Sequence, residues 1–321
     1  MNMRYAWQRI VRKVNFFYEE VLVFPRKLIL FHSKKNQKYN FKKLQKQFFL
    51  KYNKLKTSEN NDFITPHWEF FNKKITKALL PAPSFNFLQN QHIRQTMVVR
   101  GKNWYKKELA FLEKGIAGKE LKQLLVEEYA GKPELISNKY LTSENTIHHL
   151  YHLIKYKNTA NVNFSNFQTV IEWGGGYGNL AKLYLKLVDS NVTYIIIDTS
   201  LFSVLQWLYL ATVFGQDRVH LIDQAEEKIS PGRINIIPVS FIKKFTLEAD
   251  LFISTWALSE SSKAAQDYVA NKNWFEAKHL LIAYQKSSAS LPDAENISQL
   301  IPNNAKIEEI SFIPGSYYVF K

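Results

Sequence analysis

The sequence contains no cysteine. That excludes a disulfide framework, a thiolate-bound zinc and a thiol nucleophile, and it fits a reducing compartment. It also lacks any run of eighteen or more apolar residues, so no segment is expected to span a bilayer. A secretory signal is not expected either. Glu19 and Glu20 break the first apolar stretch, and no small-residue cleavage site follows. The expectation is a cytoplasmic protein.

Acidic residues are scarce at one end. Residues 1–60 hold three of them against fifteen lysines and arginines, whereas residues 61–321 hold 25 against 28. The formal net charge of +15 therefore belongs to the first sixty residues. A nearly neutral body argues against a basic groove and against nucleic acid as its partner. Hydrophobic residues make up 46% of the 321. That is enough for a sizeable core and more chain than one small domain needs.

Three regions follow. Residues 1–60 form a basic, aromatic-rich arm in which Leu44, Phe48 and Lys51 keep helical spacing. Such an arm can lie on an anionic membrane, here the inner face, or pack on its own protein or on a second copy in a homo-oligomer. Phe and Leu at this spacing favour packing. Residues 61–165 read as a helical substrate region. It holds a helix over 66–80 ended by Pro81 and Pro83, helical patterns over 103–129, and a helix over 142–156 behind the N-cap segment Thr142-Ser143-Glu144-Asn145. Residues 166–321 alternate strands and helices. Strands are expected over 168–172, 192–198, 234–239, 250–255 and 279–285, with helices over 179–188, 200–214 and 261–271 and a terminal hairpin over 306–312 and 316–320. His220-Leu221-Ile222 is an optional extra strand. The fold class is α/β, a Rossmann-like parallel sheet with helices on both faces, preceded by a mostly helical region.

One segment carries ligand chemistry. The strand ending at Glu172 runs into Gly174, Gly175, Gly176, Tyr177 and Gly178, and a helix follows. Glycines let backbone approach a ligand, and the helix N-terminus offers N–H groups to a carboxylate. The dinucleotide fingerprint fails because its third glycine position is Asn179. The spacing is that of the acidic-x-G-x-G-x-G turn of methyltransferases. Glu172 is then placed to hold a methionyl ammonium, directly or through the loop. Asp198, which ends the next strand twenty residues after Gly178, can accept from both ribose hydroxyls. The bland alternative is an ordinary glycine turn with Asp198 as a helix cap.

The turn, the second strand and the segment from Ser254 and Thr255 through Trp256 to Glu260 together resemble one family. It is the sugar O-methyltransferases of bacterial surface-polysaccharide gene clusters, class I enzymes dependent on S-adenosylmethionine. The resemblance covers roughly residues 140–321 and weakly Trp68–Asn72, and it leaves out 1–60. It implies S-adenosylmethionine as cofactor and a sugar or glycan acceptor, free, nucleotide-linked or lipid-linked. Polysaccharide biosynthesis is the implied setting.

Methyl transfer needs an aligned hydroxyl and a base near its oxygen. Glu260 is the first candidate, with a first-turn helix acid as its alternative. His148, His149 and His152 form a second cluster. An imidazole base or plain packing are both open, and no metal is expected because HExxH is absent. Ser240, beyond the third strand, is assigned to the adenine side, together with Ser254 and Thr255 for the cofactor. Asn145, Trp256 and Tyr284, the last with Gln285 and Lys286, are candidates for the acceptor. RNA methylation and a non-catalytic scaffold that keeps the fold remain the competing functions.

Overall fold

The computed structural model describes residues 35–56, 61–98, 104–137, 139–188, 191–224 and 226–321. Helix α1 covers 35–56, followed by α2 (Pro66–Leu79), α3 (Gln91–Met97), α4 (Trp104–Gly115), α5 (Gly118–Leu125) and α6 (Glu144–Ala160). Alternation then begins: β1 (Thr169–Trp173), α7 (Asn179–Leu187), β2 (Thr193–Asp198), α8 (Ser200–Phe214), β3 (Val219–Leu221) and β4 (Ile234–Pro238). The chain closes with β5 (Leu251–Thr255), α9 (Ala257–Glu260), α10 (Lys263–Asn271), β6 (His279–Gln285), β7 (Lys306–Glu309) and β8 (Ser316–Phe320).

The eight strands form one sheet in the order β3-β4-β2-β1-β5-β6-β8-β7. Strands β1 to β6 are parallel, and β8 runs antiparallel between β6 and β7. This is the expected Rossmann-like sheet, with the optional strand present at its edge as β3. Strands covered on both faces read as continuous apolar runs, and β1, β2, β4 and β5 are buried almost throughout.

Strand positions match the sequence expectation to within a residue, except at the tail. There the first hairpin strand stops at Glu309 because residues 310–316 turn back, with the Ile313 and Ser316 N–H groups donating to Ile310 and Ile313 carbonyls. The helical pattern over 103–129 is two helices, split at Gly115-Ile116-Ala117. Two short helices, α3 and α9, lie outside the sequence expectation.

Helix α8 is apolar all round, and it is buried from Ser200 to Thr212. A helix of that kind needs cover on every side. Part of the cover is α1, which buries Phe41, Leu44, Phe48 and Leu55. Lys51 of α1 lies over the Trp207 ring of α8, and the Ser200 hydroxyl donates to the Leu55 carbonyl. One core runs from Phe41 through the sheet to Phe320. The arm expected over 1–60 is thus packed on its own protein over 35–56, and residues 1–34 lie outside the described residues. Among the described residues no helix is long and apolar enough to cross a membrane.

Helix α6 packs against α4, α5, α7 and β8. Its first turn packs on a buried charge pair. Lys182 of α7 is fully buried, and its Nζ is 3.3 Å from Glu127 Oε2. The Ser143 and Thr146 hydroxyls donate to the other Glu127 oxygen. Removing one partner leaves a buried charge alone, which costs far more than removing both. Glu127→Ala is expected to lose roughly 3 kcal/mol in urea unfolding. Adding Lys182→Met should recover part of that loss, and a double variant no better than the single one would contradict this account.

Candidate active site

Strand β1 lies between β2 and β5, so the chain order reverses beside it. The crevice outside the carboxyl ends of strands at such a point is where open α/β sheets bind ligands. The turn after β1 fills one wall. The Gly174 N–H donates to the Ile197 carbonyl at 2.8 Å, and the Gly178 N–H to the Gly175 carbonyl at 2.8 Å. Gly174 has φ +76°, and a β-carbon there would stand 2.0 Å from that of Ala257. At Gly175 it would meet Ile196 at 2.7 Å. At Gly176, with φ +57°, it would meet nothing, because this residue faces the cavity. Gly178, φ +95°, caps α7 and sits against Leu210 of α8 instead.

The cavity measures about 500 Å³. Three carboxylates face it: Glu172 from β1, Asp198 from the end of β2 and Glu260 from α9. Burial pushes Glu172 up to about 8, against the Tyr194 hydroxyl that donates to its Oε2 at 2.9 Å. Burial likewise pushes Asp198 up to about 7, although the Thr199 N–H (2.8 Å) and the Gln206 amide (2.7 Å) donate to it. The same Gln206 amide reaches the Gly176 carbonyl at 3.0 Å and so ties the turn to Asp198. Glu260 is pushed up to about 7 by burial, opposed by donations from the Trp68 indole (3.2 Å) and the Gln285 amide (3.4 Å).

Aromatic side chains make the remaining walls. Trp68 from α2, Trp104 from α4 and Trp256 beside α9 line the cavity with Phe63 and Phe202. Trp256 has φ +74°, a left-handed conformation costly for a large side chain. Its backbone holds the corner: its N–H donates to the Ala283 carbonyl, and the Glu260 N–H donates back to the Trp256 carbonyl.

The three histidines differ. His148 lines the cavity, yet both its ring nitrogens are engaged, Nδ1 with Glu108 at 2.6 Å and Nε2 with His152 Nε2 at 2.9 Å. His152 Nδ1 meets the Tyr318 hydroxyl at 2.5 Å, and His152 does not reach the cavity. His149 does reach it, and its Nδ1 accepts from the Asn179 amide at 3.1 Å. Burial, with His148 and Lys182 nearby, holds His149 well below the ordinary histidine range.

Of the residues singled out in the sequence, Glu172, Gly174, Gly175, Gly176, Tyr177, Asp198, Thr255, Trp256, Glu260, His148 and His149 meet at this cavity. Six do not line it. Gly178 and His152 are placed as above. Ser240 is displaced by its neighbour Val239, which takes the cavity-facing position. Ser254 is turned into the protein, donating to the Trp173 carbonyl and accepting from the Leu258 N–H. Asn145 acts at one remove, its amide donating to the Tyr177 hydroxyl at 3.1 Å. Tyr284 stacks on Tyr317 at 5.2 Å, and alternation along β6 gives the cavity to Gln285. Trp68, Thr199, Gln206, Glu108 and Tyr318 are site residues that sequence reasoning misses. Only Trp68 leaves a trace in the sequence, as part of a weakly recognised helix.

No protein-family model matches the sequence, and no curated protein matches it. Solved structures do. LaPhzM is 15% identical over 55% of this chain and 57% of its own, with a TM-score of 0.34. The pyocyanin biosynthetic protein PhzM is 13% identical over 57% and 56%, TM-score 0.36. The mitomycin 7-O-methyltransferase MmcR is 13% identical over 77% and 74%, TM-score 0.38. This chain thus spans little more than half the length of the first two. These are distant likenesses, and none identifies a site residue, a cofactor or an acceptor here.

The buried carboxylates set a stability trend. Glu172, raised from 4.5 to about 8 on folding, is protonated in the folded state over a range where the unfolded chain has lost that proton. Stability then falls as pH rises through that window. Asp198 and Glu260 push the same way. Glu172→Gln should flatten the decline between about pH 5 and 8, by roughly 3 kcal/mol across the range. Thermal melts of both proteins in that range test this, and parallel curves would count against a proton held on Glu172.

Proposed function

We propose that this chain is an S-adenosylmethionine-dependent O-methyltransferase that acts on a sugar hydroxyl of a surface polysaccharide or its precursor. One observation carries the reading: Glu172, Asp198 and Glu260 share a single cavity with a glycine turn at the switch point of the sheet. The residues present fit the cofactor. Gly176 leaves an open cradle, and the Thr199 hydroxyl beside Asp198 is buried without a partner. Glu172 would take the methionyl ammonium, Asp198 the ribose hydroxyls, and the turn the carboxylate. When bound, S-adenosylmethionine supplies an electrophilic methyl group.

The chain supplies the rest. Glu260 is the base of this reading, because its carboxylate faces the cavity and burial holds it near neutrality, where it is ionised often enough and basic enough to take a hydroxyl proton. The histidines suit that task less. Both nitrogens of His148 are occupied, and neutral His149, accepting at Nδ1, presents an N–H rather than a lone pair. His149 then donates to the acceptor and orients it. Trp68 and Gln285 fix the Glu260 carboxylate. The tryptophan faces suit the C–H surface of a pyranose and keep water from the reacting atoms. Those same faces favour a second acceptor class, a flat phenol, which would stack on them.

Calorimetry with S-adenosylhomocysteine tests the cofactor. Wild type should bind, Asp198→Ala should bind at least tenfold more weakly, and NAD should not bind. An ammonium beside Glu172 favours its ionised form. At pH 7, binding should therefore release a proton, seen as a different apparent enthalpy in phosphate and in Tris. Equal enthalpies would exclude Glu172 as the ammonium partner. Absence of binding would favour a scaffold that keeps the fold.

Methyl transfer to nucleotide sugars, lipid-linked glycans, simple phenols and RNA sorts the acceptors. With any active acceptor, Glu260→Gln should lower kcat by about 10²- to 10⁴-fold with little change in KM. The wild-type rate should rise with pH through about 7. A normal kcat in the Glu260→Gln variant would remove Glu260 from the chemistry.

A further inference from the structure

We propose that the outer face of α1 docks the protein on an anionic lipid surface. Helix α1 holds eight lysines and no acidic residue over 35–56. Its inner face is spent on the body, through Phe41, Leu44, Phe48 and Leu55. The outer face is not. Lys35, Lys38, Lys42, Lys43 and Lys46 are exposed there. Among the described residues none of these five has an ion pair, whereas Lys51 and Lys54 reach Asp223 at 3.9 and 2.6 Å.

Three large apolar side chains stand among those lysines: Tyr39 is 72% exposed, Leu50 71% and Phe49 43%. At 100° per residue, Tyr39, Lys46 and Leu50 fall on one stripe opposite the buried one, with Lys35 and Lys42 beside it. This pairing of ammonium groups with apolar side chains is the pattern of an interfacial helix, which seats apolar groups among lipid tails and cations among headgroups. Each lysine near an anionic surface adds roughly fivefold to the partition.

Charge decides against the other occupants. A second copy would bring the same positive face. Residues 1–34 hold seven basic and two acidic residues, so they add to the positive charge of the chain. RNA shares the electrostatics, but Leu50 offers nothing to a base or a phosphate, and α1 has no arginine for bidentate phosphate contacts. The C-terminal end of α1 touches Ser200, next to the cavity-lining Thr199. A docked α1 therefore holds the cavity near the surface where a lipid-linked acceptor sits. The docking itself does not depend on the cofactor reading.

Vesicle co-sedimentation of the full chain tests it, using phosphatidylcholine alone and phosphatidylcholine with about one-third phosphatidylglycerol. Binding is expected only to the anionic vesicles, with release at about 1 M salt. The triple variant Lys42→Gln, Lys43→Gln, Lys46→Gln should partition about a hundredfold less. Phe49→Ser with Leu50→Ser should lose about tenfold at unchanged charge. Melting curves and S-adenosylhomocysteine binding, compared with wild type, show that the variants fold. Equal sedimentation with both vesicles, anionic binding untouched by either variant, or retention of an RNA oligonucleotide without vesicle binding would each overturn the proposal.

Discussion

The site depends on how closely two pieces of backbone approach. The turn after β1 touches the corner after β5 where Gly174 faces Ala257, a contact that leaves no room for another carbon. Because that contact closes, Trp256 and Glu260 come to the same cavity as Glu172 and Asp198. Trp256 holds a left-handed backbone to keep the corner, and hydrogen bonds to β6 and α9 hold Trp256. Strain of this kind persists only where its surroundings over-determine it.

Desolvation is the second theme. Three carboxylates near neutrality inside one cavity make the folded state hold protons that it would release to solvent when a cationic ligand binds. The helical region shares that electrostatic design. Glu108 of α4, His148 and His152 of α6 and Tyr318 of β8 form one buried hydrogen-bonded row. One consistent direction of donation runs from the Tyr318 hydroxyl through both imidazoles to a Glu108 oxygen. The row fixes the α6 histidines against the sheet, and Lys182 with Glu127 does the same at the start of α6. The cover over the cavity is thereby registered on the sheet by polar contacts as well as by the common core.

Much of this was legible beforehand. Apolar runs of strand length between helical segments give the parallel sheet, since a strand covered on both faces has no polar side to show. The glycine turn with Glu172 and Asp198 was legible because a close backbone approach admits few residue types. A local motif singles out Glu260 and Trp256, and both line the cavity. Ser254 and Tyr284 show the limit of such reading. Both lie in or beside the right strands, but each points away from the cavity, and a one-residue choice decides the face.

Sequence alone determined the order of elements, the cofactor-type turn and the separation of basic charge from a neutral body, because each is written in local spacing and composition. Tertiary structure alone decided which side chains meet. Glu108 and Tyr318 lie 210 residues apart in the chain and join through two histidines. Trp68 and Gln285 fix Glu260 from opposite ends of the sequence. Such contacts follow from how elements dock, and docking is set by the shape of the whole core rather than by any local pattern.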